Sequence, residues 1–124
     1  MKISDIKKQI EIILDNNKAK DIVSIDLKKK SYIADYMIIA SGTSSRHLQS
    51  LSENLVSELK KIGISNCRIE GKESADWKLV DAIDIIVHIF NPEKREFYDL
   101  EKMWSEPILE LFFKYKLSSL KKFK

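Results

Sequence analysis

One cysteine, Cys67, stands in a chain of 124 residues. A lone thiol cannot close an internal disulfide, so stability has to come from packing, and a reducing compartment such as the cytoplasm is no obstacle. Long apolar runs are missing as well, since no segment approaches the roughly 20 consecutive apolar residues of a membrane-spanning helix. The opening MKISDIKKQIEIIL mixes charges into its apolar positions and lacks the unbroken apolar centre of a signal peptide. The chain is therefore expected to be neither secreted nor membrane-bound. A strong charge of one sign is absent too. The formal net charge is +3, and it sits at one end: residues 107 to 124 carry Lys114, Lys116, Lys121, Lys122 and Lys124 against Glu110. The rest holds 17 basic and 18 acidic side chains, which is no electrostatic footprint for nucleic acid.

What is present is one core's worth of apolar residues, 44% of the chain, too few for two ordinary domains. Ile3, Ile6, Ile10, Ile13 and Leu14 recur at helical spacing and predict a first amphipathic helix over about 3–16, with Ser4 or Asp5 as cap and Asn16-Asn17 as its end. Val23, Ile25 and Leu27 alternate with Ser24 and Asp26, as in a half-buried strand. Tyr36 to Ala40 is apolar without alternation, which predicts a central strand covered on both faces. After Ser41-Gly42-Thr43-Ser44-Ser45, the stripe Leu48, Leu51, Leu55, Val56, Leu59 and Ile62 predicts a second helix that Gly63 can end. Two short strands over about 67–70 and 78–80 form a hairpin around the polar turn 71–74. Asp84 to Phe90 is the strongest strand signal, stopped by Asn91-Pro92, and Pro92 opens a helix through about Trp104. The order predicts an α/β fold: a mixed sheet of about five strands flanked by helices, in a single domain.

Several chemistries can be weighed against plainer roles. The loop 41–46 joins a strand to a helix, where backbone N–H groups and Arg46 could hold an anion. It has one glycine and neither phosphate-loop spacing, so a hydroxyl-capped helix start is the favoured reading. Asp81 and Asp84 beside a Gly-Thr-Ser turn suggest a nucleotidyltransferase metal site, but they lie about forty residues from Gly42 and three apart, a spacing that would put them on opposite faces of a strand. No pair among His47, His88 and Cys67 has metal-ligand spacing, and no nucleophile-elbow pattern accompanies the serines. No metal, cofactor or catalytic residue is assigned. Trp77, in a polar hairpin among acids, reads either as an anchor for a basic partner or as a ring folded back over the sheet edge. The spacing of Trp104 from Leu100 favours packing.

Ala34-Asp35-Tyr36-Met37-Ile38-Ile39-Ala40-Ser41-Gly42-Thr43-Ser44-Ser45-Arg46-His47 closely resembles the signature of the ribosomal silencing factor family, also called Iojap. Three further stretches match in order: 21–27, then Glu70-Gly71 through Ser74-Ala75-Asp76-Trp77 to Asp81, then 84–90 followed by 95–104. The resemblance covers about residues 3–106 and implies a non-enzymatic domain related in fold to nucleotidyltransferases. It implies a protein that docks on the large ribosomal subunit at ribosomal protein fourteen and blocks joining of the small subunit, lowering translation when nutrients are short. The partner-facing residues carried over are Trp77, Lys78, Leu79 and Asp81, with Arg68 and Glu70 beside them, and Asp76 and Asp84 facing basic groups. Self-association as a homodimer also fits the family. A divergent metal-dependent nucleotidyltransferase and a general RNA-binding module acting through the tail stand as the alternatives.

Two departures from the family pattern matter. Ile83 occupies a position where members usually carry glycine. A β-branched residue does not take a positive φ cheaply, so the turn before Asp84 is expected to differ. Residues 107–124 form an extension to the domain at 1–106, in which Ile108, Leu111, Phe112, Tyr115 and Leu120 suit an amphipathic helix with a lysine-rich far side. Packing on the domain, a dimer contact and a basic arm for ribosomal RNA are its three possible uses.

Overall fold

A computed structural model of the chain describes residues 2–28, 34–71 and 74–93. The first helix, α1 (Ile3–Asn16), begins after Lys2, whose backbone N–H donates to the Asp5 carboxylate at 3.2 Å. Ser4 and Asp5 thus lie inside the first turn, and Asp5 reaches back to the cap position. Lys18 ends the helix with φ +67, in the left-handed region usual for a residue just past a helix. Strand β1 (Lys20–Asp26) pairs antiparallel with β2 (Tyr36–Ser41), with an irregularity between Lys20 and Val23. The second helix, α2 (Ser45–Lys61), follows, then β3 (Arg68–Glu70), β4 (Trp77–Asp81) and β5 (Ile85–Phe90).

The five strands lie in the order β1-β2-β5-β4-β3. The β2–β5 pair is parallel and the other three pairs are antiparallel, so the sheet is mixed as expected. Every residue of β2 and of β5 is buried, which is why neither run alternates in sequence. Pro92 and Glu93 are helical, while the rest of the helix expected to Trp104, and the extension 107–124, fall outside the described residues.

Strand alternation sends successive side chains to opposite faces and so divides the core in two. On one face, Tyr36, Ile38, Ala40, Val80, Ile85, Val87 and Ile89 pack with Ile10, Ile13 and Leu14 of α1 and Leu48, Leu51, Leu55 and Leu59 of α2. Each fully buried leucine, isoleucine or valine among them contributes about 1.5–3 kcal/mol relative to exposure. On the other face, Leu27, Ala34, Met37, Ile39, Trp77, Leu79, Ile86 and Phe90 form a second cluster to which neither described helix contributes. Ser24, on the helix side of β1, donates to Glu11 of α1 at 2.6 Å, while Ile25 packs on the second cluster.

Candidate functional site

The hairpin of β3 and β4 gathers most of the residues that the sequence singled out. Trp77, Leu79 and Asp81 alternate along β4 onto the face away from α1 and α2. Arg68 of β3 lies directly across from Asp81, and Glu70 across from Leu79, and directly opposed residues share a face. Five of the eight candidates therefore line one side of the hairpin. Lys78 does not join them. It points to the helix side, where it lines a hollow of about 270 Å³ with Gln49, Ser52, Glu53 and Ile69. Its ammonium donates to the Gly71 carbonyl at 3.0 Å, and only 3% of the residue is exposed.

Trp77 is folded onto the sheet. It is 9% exposed and stacks nearly parallel on His88, with ring centres 5.6 Å apart, and on Phe90, at 5.3 Å. The indole Nε1–H donates to His88 Nδ1 at 3.1 Å. Because that indole nitrogen can only donate, Nδ1 must be unprotonated, and the neutral ring carries its proton on Nε2. Burial pushes the His88 pKa down to about 3, so the ring stays neutral at any physiological pH. No sequence signal announced this bond, since the partners are 11 residues apart and meet only through the register of β4 and β5.

Asp76 sits at the end of the sheet where β5 finishes. Its carboxylate accepts from the Asn91 side-chain amide at 2.6 Å, and its carbonyl accepts the Asn91 backbone N–H at 3.0 Å. Asp84 lies at the opposite end and is exposed. Its carbonyl accepts from the backbone of Asp35 at 2.7 Å and of Tyr36 at 3.3 Å, tying the β4–β5 turn to the start of β2.

The turn itself corrects one expectation. Ile83 keeps a left-handed conformation, with φ +69, rather than relaxing out of it. The Asp84 N–H donates to the Ala82 carbonyl at 2.9 Å, closing a three-residue γ-turn around Ile83. For a β-branched residue this costs about 1–2 kcal/mol. Asp81 braces the turn, its carboxylate accepting the Ile83 N–H at 2.9 Å.

The loop 42–45 is a hydroxyl-capped helix start in which the N–H groups of Thr43 and His47 already bond within the chain. Ser44 caps α2 by accepting the His47 N–H at 3.0 Å, and the Thr43 N–H donates to His47 Nδ1 at 2.9 Å. His47 Nε2 lies 2.9 Å from the Asn17 carbonyl, so this histidine links the loop to the end of α1. A Cβ on Gly42 would stand 2.6 Å from Leu48 Cδ2, so the glycine serves close packing of the loop on α2. Cys67 is half-buried and its thiol pKa is raised, first by burial and then by the Asp81 carboxylate, which makes it a poor nucleophile. Asp81 and Asp84 flank a hairpin turn rather than sharing one strand. Among the described residues no three His, Cys, Asp or Glu side chains gather as metal ligands would.

Known proteins decide the family. The family model described as "Ribosomal silencing factor during starvation" matches residues 2–121. The chain belongs to the ribosomal silencing factor family. The match runs well into the segment beyond Glu106 that the four motifs left uncovered. A "Ribosomal silencing factor RsfS" of Zymomonas mobilis is 50% identical over 91 residues, 73% of this chain and 68% of that one. The mouse "Mitochondrial assembly of ribosomal large subunit protein 1" is 36% identical over 104 residues, 82% of this chain and 45% of the mouse protein. A crystal structure of a Chromobacterium violaceum protein superposes with a TM-score of 0.80 at 37% identity, covering 84% of this chain and 87% of that one. The fold of a ribosomal silencing factor is thus the frame on which the hairpin face is built. No described helix is long and apolar enough to cross a membrane.

Proposed function

We propose that this chain binds the large ribosomal subunit at ribosomal protein fourteen through the β3–β4 hairpin and its flanking turn, and so keeps the small subunit from joining. Family membership is the observation that carries the reading, and the name of the mouse relative, which concerns the large subunit, agrees with it. The mechanism is steric and regulatory, and no chemical step is assigned to the protein.

The hairpin supplies a partner surface in two layers. Trp77, Leu79 and Asp81 are buried and set its shape. Arg68 and Asp84 are exposed, and Glu70 is half-exposed, so these present charge to a partner. Ribosomal proteins are rich in basic groups, and an acidic group at the rim steers such a partner and disfavours wrong ones. Lys78 acts from beneath, holding the Gly71 end of the hairpin. Contact of the basic tail with ribosomal RNA would add a salt-dependent component to binding.

The test is co-sedimentation of the protein with isolated large subunits, followed by addition of small subunits. The parent should sediment with large subunits and reduce formation of intact ribosomes. Asp84→Lys should bind at least about tenfold more weakly, since a like charge then faces the basic partner. A parent that fails to bind, or that binds and leaves joining unchanged, refutes the proposal.

A further inference from the structure

Three large apolar side chains stand exposed among the described residues: Ile12, Ile62 and Ile83. Ile12 lies within α1, and Ile62 has φ −98 at the end of α2, so neither is displayed at any conformational cost. Ile83 differs in kind. It holds a strained left-handed γ-turn, and 49% of it is nonetheless exposed. Its N–H bond to the Asp81 carboxylate, and the neighbouring bonds of Ala82 and Asp84, use no atom of the Ile83 side chain, and a glycine would make them equally well without the strain. Within the folded chain the side chain therefore returns only about half of an isoleucine's burial for the conformation it imposes. Strain that the surrounding structure holds in place and does not need is a mark of a working position.

The surroundings of Ile83 indicate what it meets. Asp84 is its exposed neighbour, and half-exposed Asp35 is joined to Asp84 by the 2.7 Å backbone bond. On the other side, exposed Arg68 lies across the hairpin from Asp81. An apolar tip inside a charged rim is the arrangement of an interface anchor. Its two nearby carboxylates favour a basic partner, and the tip is continuous with the hairpin face described above.

We infer that Ile83 is an apolar anchor for the large-subunit ribosomal protein, entering a shallow apolar hollow bordered by basic side chains. The inference rests on the proposed binding to the large subunit and adds a contact residue to it. The γ-turn projects the side chain from the end of the sheet and, held by its backbone bonds, keeps it from folding back.

Ile83→Gly, Ile83→Ala and Ile83→Leu, each in the full chain, separate the possibilities when thermal melting and affinity for isolated large subunits are measured together. Ile83→Gly should melt above the parent and yet bind about fivefold more weakly, the change expected for half an isoleucine's burial. Ile83→Ala keeps a Cβ in the left-handed turn and should lose a similar amount. Ile83→Leu should stay within about twofold of the parent. Parent-like binding by the glycine and alanine variants overturns the anchor while leaving large-subunit binding intact. Loss in the glycine variant alone also overturns it, since turn rigidity would then be the cause. A parent that does not bind large subunits removes the underlying reading as well, and that failure shows before any variant is compared.

Discussion

Replacing His88 by glutamine should change how the protein responds to acid. The imidazole is 1% exposed, accepts the Trp77 indole N–H, and has its pKa pushed down to about 3. In the unfolded chain the same group titrates near about 6.5. Below that pH the unfolded state takes up a proton that the native state refuses, so stability is lost as pH falls and is retained above about 6.5. Each pH unit in the window costs about 1.4 kcal/mol, and partial protonation near the upper edge trims the sum between pH 7 and pH 5 to about 2 kcal/mol. Glutamine retains an oxygen able to accept the indole N–H and cannot titrate. At pH 7 it should cost about 1–3 kcal/mol through the lost ring stacking with Trp77 and Phe90. Urea unfolding followed by tryptophan fluorescence at pH 7, 6 and 5 gives both stabilities. The gap between parent and variant should close by about 2 kcal/mol across that range. All other groups are common to both proteins and cancel in the difference. Parallel pH profiles would refute the neutral, indole-bonded assignment of His88.

Gly71→Ala should be among the most damaging single-methyl changes. Gly71 has φ +75, and an added Cβ would stand 2.8 Å from the Trp77 carbonyl oxygen, a backbone atom held within β4. Strain and overlap together predict a loss of about 2–4 kcal/mol, measurable as a lower urea midpoint with an unchanged slope. Ser44→Ala removes the hydroxyl that caps α2 and should cost about 1 kcal/mol in the same assay.

Much of the fold was legible because burial writes periodicity directly into sequence. The uninterrupted apolar runs of β2 and β5 have one physical solution, a strand with both faces covered, and the structure buries every residue of both. The helical stripe of α2 and its hydroxyl cap were legible for a similar reason. Strand order was not, because nothing local in Asp84–Phe90 specifies that β5 inserts between β2 and β4. The same limit hid the Asp76–Asn91 and Trp77–His88 bonds, whose partners are distant in the chain and adjacent only through strand pairing. Lys78 shows what strand alternation separates. The family resemblance groups it with Trp77 and Leu79, while the pleat sends it to the other face, beside Gln49, Ser52 and Glu53 of α2.

Ile83 shows how a correct local rule can point to the wrong outcome. A left-handed isoleucine costs about 1–2 kcal/mol, and taken alone that would favour a different turn. Against this single term stand five hydrogen bonds. Ala82 donates to Ile85 at 2.9 Å, Ile83 to Asp81 at 2.9 Å, and Asp84 to Ala82 at 2.9 Å. Asp35 and Tyr36 donate to the Asp84 carbonyl at 2.7 and 3.3 Å. At about 0.5–1.5 kcal/mol each, even three of them match or exceed the strain, and relaxing the turn would disturb all five together. Two of the five join the turn to the start of β2, some fifty residues earlier, so no window around Ile83 could have revealed them. The conformation is therefore imposed by the sheet, and the side chain is carried with it. What local preference decides in this turn is its stability, and what the sheet decides is where the isoleucine points.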